Sequence, residues 1–152
     1  MKEVFVDTNV LLYAVDDQDL DKRDRSRQWL AACWKHRCGR LSTQVLNEFY
    51  VNVRKKFSGT VSAGDARADI RRYQLWRPWA IDHPTVEAAW AVETRYGLNY
   101  WDALMVAAAQ QQGCTLMLTE DLQHDQDIDG VRIVNPFRAG PELLAQNEAA
   151  KP

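Results

Sequence analysis

Short apolar runs alternate with longer amphipathic segments along this chain. Five runs have the length and apolar character of strands: residues 3–6, 40–42, 78–81, 114–118 and 131–134. Between the runs, apolar side chains recur at steps of three and four residues, which is typical of helices. This alternation predicts an α/β domain built around a central, mainly parallel sheet of about five short strands flanked by helices.

Local sequence features predict where the helices begin and end. A buried helical turn is expected at residues 10–13, and a charged helix over 20–37 is expected to stop at Gly39. The apolar stripe at 43–57 predicts the next helix, and Ser62 with Asp65 forms a capping pair for a helix to residue 76. A further helix from residue 83 should end at Gly97, and Asn99 should cap a helix to residue 112.

The helix at 99–112 is apolar nearly all round, through Trp101, Leu104, Met105, Val106 and several alanines. A helix with apolar residues on every face belongs inside a protein. We therefore expect all of it, Trp101 included, to be buried.

Length and composition indicate one globular domain. The chain has 152 residues, 46% of them apolar, which is enough for a single core. We expect the domain to span residues 1–138, followed by a partly frayed tail at 139–152. Three cysteines, the opening MKEVFVDTN without an apolar signal stretch, and no run long enough for a membrane span predict a soluble protein of the reducing cytoplasm.

Four acidic residues occupy unusual places in this pattern. Asp7 and Asp121 follow apolar strands, at the sheet edge where α/β folds bind ligands. Glu48 and Asp102 lie early in helices that are otherwise strongly apolar, where an uncompensated charge costs several kcal/mol. Taken singly, Asp7, Asp102 and Asp121 are equally well explained as helix-capping residues.

The surroundings of these acids contain no basic residues that could neutralise them locally. Lysine and arginine are absent from residues 5–13, 43–53, 99–112 and 116–123. If the acids converge, either their pKa values rise or they hold divalent cations. Oxygen ligands without histidine or cysteine suit Mg²⁺ or Mn²⁺.

Four motifs in this order resemble the PIN domain, and in particular the VapC-like toxins of bacterial toxin-antitoxin pairs: VFVDTNVLL at 4–12, LNEF at 46–49, YWDAL at 100–104 and LTEDL at 118–122. The resemblance covers nearly the whole chain and implies a three-layer PIN-like, Rossmann-like fold. Ala103 stands where many relatives carry a small hydroxyl residue after the acid. This departure removes a possible hydrogen-bond donor to the adjacent Asp102.

The resemblance also implies a function. The family's metal ligands and catalytic acids fall on Asp7, Glu48, Asp102 and Asp121, with Asn9 and Thr119 in supporting roles. It implies hydrolysis of RNA phosphodiester bonds with Mg²⁺ or Mn²⁺. A toxin of this kind would also have a cognate antitoxin and form a homodimer through helical surfaces.

Other features carry weaker indications. The stretch DQDIDG at 125–130 copies the first half of a calcium-binding loop, but Pro136 replaces the glutamate that such a loop requires. Asp125 remains a reserve metal ligand. Basic residues that could line a path for RNA lie in two clusters: Arg23, Arg25 and Arg27, and Arg54, Lys55 and Lys56.

Two alternatives remain open at this point. The domain could be a catalytically inert PIN-like module that binds RNA or protein. It could also be a phosphotransfer enzyme resembling the haloacid dehalogenases, with Asp7 as the covalent phosphate acceptor. That chemistry uses a later lysine, and no lysine occurs between residues 57 and 150.

Overall fold

The computed structural model describes residues 2–149 as alternating strands and helices. Its elements are β1 (Val4–Val6), α1 (Thr8–Tyr13), α2 (Leu20–His36), β2 (Gly39–Arg40), α3 (Thr43–Lys56), α4 (Ala63–Tyr73), a 3₁₀ turn (Gln74–Trp76), α5 (His83–Tyr96), α6 (Tyr100–Gln111), β3 (Leu116–Leu118), β4 (Asp127–Ile128), β5 (Val131–Val134) and α7 (Glu142–Ala149). The predicted α/β class and the mainly parallel five-stranded sheet are confirmed.

The sheet has the strand order β2-β1-β3-β5-β4, and every pair except β4–β5 is parallel. All residues of β1 and β3 are buried, as expected for parallel strands covered by helices on both faces. Because β1 and β3 are adjacent, Val6 pairs with Leu118 at their carboxyl ends. The residues that follow these two strands therefore lie side by side.

One predicted strand is wrong. Residues 78–81 contribute only an isolated bridge between Trp79 and Ser42, because α3 begins at Thr43 and the N–H of Ile81 donates to the Thr43 hydroxyl instead of a strand carbonyl. The fifth strand is instead β4, which pairs antiparallel with β5. The two residues between them, Asp129 and Gly130, have φ values of 47° and 95°, the left-handed conformation of a tight hairpin turn.

The predicted stop of the second helix at Gly39 is also wrong. Arg37, with φ of 53°, adopts the left-handed conformation that ends α2. Gly39 lies in β2, where a Cβ atom would come within 2.5 Å of the Trp76 ring. The glycine is thus required by close packing of the aromatic side chain rather than by a helix end.

The other helix signals behave as predicted. Ser62 Oγ accepts a hydrogen bond from the backbone N–H of Asp65 at 3.0 Å. Gly97 ends α5 with φ of 66°. The side chain of Asn99 caps α6 by accepting from Trp101 N–H at 2.8 Å.

Helix α6 is buried along most of its length, and residues 103–109 are all inside the core. Its first turn is different, because Trp101 is 57% exposed. The expectation that the whole helix would be buried is therefore wrong at this residue. The position faces outward although the side chain is the largest in the helix.

The chain beyond residue 138 packs against the domain through a few residues. The indole N–H of Trp29 donates to the carbonyl oxygens of Pro136 and Ala139, at 3.1 and 3.0 Å. Leu144 in α7 is buried. Residues 150–152 of the predicted tail lie outside the described part of the chain.

Within residues 2–149, no helix has both the length and the apolar character needed to cross a membrane.

Replacing Gly39 by alanine should lower the free energy of unfolding. The added methyl group would overlap the Trp76 ring, and relieving such overpacking costs about 1–3 kcal/mol. Urea titration followed by circular dichroism measures the change. Gly64→Ala is the matched control, because the nearest heavy atom to its Cβ is 3.8 Å away and alanine favours the exposed helix α4. Equal stabilities of the two variants would contradict the packing argument.

Candidate active site

Asp7 lies at the carboxyl end of β1, in the interior of the domain. Its side chain is 3% exposed. Its backbone N–H donates to the carbonyl of Leu118, which extends the β1–β3 pairing by one residue. The hydroxyl of Thr119, the first residue after β3, donates to Asp7 Oδ2 at 2.9 Å.

Asp121 reaches the same edge of the sheet from the loop after β3. Thr119 Oγ1 accepts a hydrogen bond from the backbone N–H of Asp121 at 3.1 Å. Asn9 Nδ2, from α1, donates to Asp121 Oδ2 at 2.9 Å. The two residues with expected supporting roles, Asn9 and Thr119, therefore connect the loops that carry Asp7 and Asp121.

Glu48 comes to the cluster on α3, which packs against α1. Thr8 Oγ1 donates to Glu48 Oε2 at 2.8 Å, and Gln44 Nε2 donates to Glu48 Oε1 at 3.2 Å. Gln44 also donates to the backbone carbonyl of Trp101 at 3.1 Å. Gln44 therefore ties α3 to the first turn of α6, which carries the half-buried Asp102.

The acids raise the pKa values of two neighbours in the cluster, Asp7 and Asp102. Burial raises the pKa of Asp7 to about 7, the hydrogen bond from Thr119 opposes this rise, and the nearby charges of Asp121, Asp102 and Glu48 add to it. Burial also raises the pKa of Asp102, again with contributions from Asp121 and Glu48. The four carboxyl groups predicted from the sequence therefore lie within electrostatic reach of one another.

The donor set suits a hard divalent cation. The groups that hold Asp7, Glu48 and Asp121 by side-chain hydrogen bonds are neutral hydroxyls and amides: Thr8, Asn9, Gln44 and Thr119. These bonds orient the carboxylates without neutralising their charge, and all the candidate ligands are oxygens, as Mg²⁺ and Mn²⁺ prefer. Within residues 2–149, however, no three acidic, histidine or cysteine side chains are gathered closely enough to form a complete metal cage.

The remaining predicted site residues are distributed unevenly. Asp125 is exposed and pairs with Arg132, with Oδ1 at 2.5 Å from Nη2, and this contact lowers its pKa. Arg23 pairs with Asp17 and Asp24, and Arg27 donates to the carbonyl of Ala14. Arg25 lies near Gly140, beside a shallow depression with Phe137. These residues are engaged elsewhere in the domain.

Lys56 is placed differently from the other basic candidates. It lines a groove of about 310 Å³ together with Asn9, Tyr13, Glu120 and Asp121. Glu48 and Lys56 are eight residues apart on α3, which puts them on one face of the helix. The groove leads from Lys56 to the acids, whereas Arg54 and Lys55 are exposed side chains that do not line it.

Sequence reasoning missed several residues of the site. Thr8 and Gln44 occupy ordinary positions in the first turns of α1 and α3, and nothing in the pattern distinguishes them. A second set of contacts that the sequence does not reveal surrounds Glu120. Lys22 Nζ lies 2.8 Å from Glu120 Oε2, and Glu120 also accepts a hydrogen bond from the hydroxyl of Tyr13. Because Lys22 is about a hundred residues from Glu120, a search for local neutralising charge could not find it.

Comparison with known proteins identifies a family match along most of the chain. The profile described as PIN domain matches residues 4–126. No curated protein matches the chain.

Several solved structures have a similar fold. A toxin-antitoxin complex from Klebsiella pneumoniae shares 18% identity over 88% of this chain and 98% of that chain, with a TM-score of 0.60. A VapC toxin from Mycobacterium tuberculosis that cleaves the sarcin-ricin loop shares 18% identity over 76% and 87%, with a TM-score of 0.59. A DNA-bound VapBC complex from Salmonella typhimurium shares 16% identity over 90% and 99%, with a TM-score of 0.61. At these identities the likeness establishes the fold.

In the presence of a chelator, raising the pH should destabilise the domain through Asp7. Its carboxyl group loses a proton near pH 3.8 when unfolded but near 7 when folded, so the folded state binds the extra proton between these values. The protonated Asp7 carboxyl group adds on the order of 4 kcal/mol to the free energy of unfolding. This contribution is fully present below about pH 4 and is lost as the pH rises to about 7. Urea titrations across this range measure it.

The Asp7→Asn variant should lose this part of the pH dependence and exceed the parent in stability at neutral pH. Asp65→Asn, at an exposed acid in the first turn of α4, serves as the control and should follow the parent. A constant difference between parent and Asp7→Asn at every pH would contradict the assignment.

Proposed function

We propose, from the premise that this chain belongs to the PIN domain family, that it is a metal-dependent endoribonuclease that hydrolyses RNA phosphodiester bonds. The observation that carries the proposal is the hydrogen-bond network of Thr8, Asn9, Gln44 and Thr119, which ties together the four separate segments that carry Asp7, Glu48, Asp102 and Asp121. Carboxyl groups with perturbed pKa values are typical of catalytic sites.

In this proposal the same four acids hold Mg²⁺ or Mn²⁺. When bound, the cation supplies a more acidic water as the nucleophile and neutralises charge that develops on the phosphate oxygens. The missing three-ligand cage is compatible with this role, because Mg²⁺ keeps several waters and is completed by substrate phosphate.

The neutral side chains of the site have a positioning role. Thr119 fixes one oxygen of Asp7, Asn9 fixes one oxygen of Asp121, and Thr8 with Gln44 fixes both oxygens of Glu48. Fixed oxygens lower the cost of reorganising the site when substrate arrives. Arginine or lysine in these places would neutralise the acids and compete with the cation.

Lys56 is proposed to bind the RNA backbone. Lys56 lies in the groove that opens onto Asp121. Phosphate contacts by lysine supply affinity that is independent of sequence and sensitive to salt. The other predicted RNA-binding residues, Arg23, Arg25, Arg27, Arg54 and Lys55, do not line this groove, so Lys56 is the strongest candidate.

We also propose that the protein is the toxin of a toxin-antitoxin pair, acting in the cytoplasm. The similar solved structures are described as a VapC toxin and as toxin-antitoxin complexes. A cognate antitoxin would cover the acidic pocket and keep RNA out. Association of two copies through helical surfaces is part of the same proposal and is measurable by light scattering.

The Asp7→Asn variant should lose RNA cleavage by at least about a hundredfold, because removing an acid that holds the cation removes most of the transition-state stabilisation. The assay incubates single-stranded and structured RNA with purified protein and Mn²⁺ or Mg²⁺. Addition of a chelator should abolish cleavage by the parent, and excess Mn²⁺ should restore it.

Asp65→Asn again provides the control, since an exposed acid away from the cluster should leave cleavage unchanged. If the parent and Asp7→Asn are equally inactive with every RNA and metal, the inert-module alternative is favoured. If they are equally active, the acids are not the nuclease site.

The toxin proposal is tested with the same pair of variants in cells. Expression of the parent without a partner should arrest growth, whereas Asp7→Asn should not. Growth arrest by both variants would separate toxicity from the acidic site and contradict the proposal.

Lys56→Ala should weaken RNA binding and reduce its salt dependence. Loss of one phosphate contact to single-stranded RNA lowers the slope of log K against log salt by about 0.7. Filter binding with Asp7→Asn as the parent, so that the RNA is not cut, gives the slope. Lys35→Ala is the control, because Lys35 is near the end of α2, at the amino ends of the strands and opposite the acids. Equal slopes for both variants would remove Lys56 from the RNA path.

A further inference from the structure

A second groove, which shares no lining residue with the groove that contains Lys56, reaches the acidic cluster at Glu48. It is formed mainly by α3 and α6, has a volume of about 490 Å³, and is lined by Gln44, Asn47, Glu48, Ile81, Trp101 and Leu104. This volume lies within the roughly 300–1,000 Å³ of small-ligand pockets. Glu48 belongs both to this groove and to the acidic cluster, so the groove continues directly from the site.

Trp101 gives this groove an exposed aromatic surface. The side chain is 57% exposed, although it lies in the most apolar helix of the chain. Its ring packs edge-on against Tyr100, with centroids 5.1 Å apart and planes at 71°, and Asn99 fixes its backbone through the helix cap. The indole is therefore held in place beside Asp102 with much of its surface uncovered.

Gln44 adds a polar group whose hydrogen bonding is incomplete. The side chain is only 8% exposed. Its amide nitrogen donates to Glu48 Oε1 and to the Trp101 carbonyl, and because both partners are acceptors, the orientation of the amide is fixed. Its oxygen, Oε1, has no hydrogen-bond partner among the described residues. Because this oxygen is closed to solvent, Gln44 serves as a fixed wall that ties α3 to α6 and not as a hydrogen-bond partner for a ligand.

We propose that this groove binds an unstacked nucleobase of the RNA next to the scissile phosphate, with the base stacked on Trp101. The proposal rests on the nuclease function proposed above, which places the phosphate at the acids. Aromatic side chains commonly hold the splayed bases of single-stranded RNA in this way.

The test compares two RNA probes. One is a single-stranded oligoribonucleotide of mixed sequence, and the other has the same backbone with abasic riboses throughout. Binding is measured in the Asp7→Asn background, so that the RNA stays intact. Trp101→Ala should weaken binding of the base-carrying probe by about 5- to 150-fold, the range for loss of one stacked base. It should leave binding of the abasic probe unchanged.

Two further variants separate stacking from structural damage. Trp101→Phe keeps an aromatic face and should retain binding within about threefold. Trp90→Ala removes the other exposed tryptophan, which is 48% exposed on α5 and does not line the groove, and should bind both probes normally. Equal losses of the two probes with Trp101→Ala, or no loss, would overturn the proposal.

Other outcomes distinguish this proposal from its premise. If Trp101→Ala changes the oligomeric state by light scattering and leaves RNA binding intact, the groove is a contact between copies of the chain and the base site is excluded. If the parent binds as expected but cuts no RNA, the nuclease function fails while base binding stands. If the parent cuts RNA and Trp101→Ala cuts it equally well at limiting substrate, the base site alone fails.

Discussion

The parallel pairing of β1 with β3 is the constraint on which the site depends. It sets Val6 opposite Leu118, so that Asp7 and Thr119 leave the sheet side by side, and it buries Asp7 almost completely. Burial alone raises the pKa of this carboxyl group strongly, before the other acids are considered. The domain therefore carries a destabilising charge at its centre, which the surrounding core has to offset.

The hydrogen-bond partners of the acids explain why the cluster keeps its negative charge. A structural ion pair would neutralise a buried carboxylate, but the side-chain partners of Asp7, Glu48 and Asp121 are hydroxyls and amides. Such partners fix the direction of an oxygen and leave most of its charge in place. Lys22 is paired with Glu120, the residue before Asp121, and forms no ion pair with the four acids. The arrangement conserves negative charge where a cation would be bound.

The apolar pattern drew attention to the four acids, and the family resemblance assigned them to one site, because taken singly Asp7, Asp102 and Asp121 also fit helix capping. Asp7 and Asp121 end apolar strands, and Glu48 and Asp102 interrupt apolar helices. Their positioning residues were only partly predictable: Asn9 and Thr119 came from the family resemblance, whereas Thr8 and Gln44 act through contacts between α1, α3 and α6. Such contacts depend on tertiary packing, which periodicity does not encode.

The errors have a common physical origin. The position of Gly39 after a charged helix predicts a helix stop, although the glycine makes room for Trp76. The apolar run at residues 78–81 predicts a strand, although only Trp79 pairs with a neighbouring segment. The Asp129–Gly130 turn forms the hairpin between β4 and β5, which the pattern of apolar residues does not predict. Local patterns predict the type of an element, whereas close approach and pairing are decided by distant residues.

The exposure of Trp101 is a further case in which the position in the fold overrides the local apolar pattern. An apolar helix predicts burial, and α6 obeys this except where its first turn emerges beside the acids. Two separate grooves reach the cluster: Lys56 and Tyr13 line a polar one that includes Asp121, and Trp101 and Leu104 line an apolar one that includes Glu48. RNA has the same asymmetry, with charged phosphates on one side of each nucleotide and an apolar base face on the other. A strand that crosses the acids with its backbone towards Lys56 and a base towards Trp101 would satisfy both surfaces, whereas the reverse orientation would set phosphates against the apolar groove and leave Lys56 facing a base.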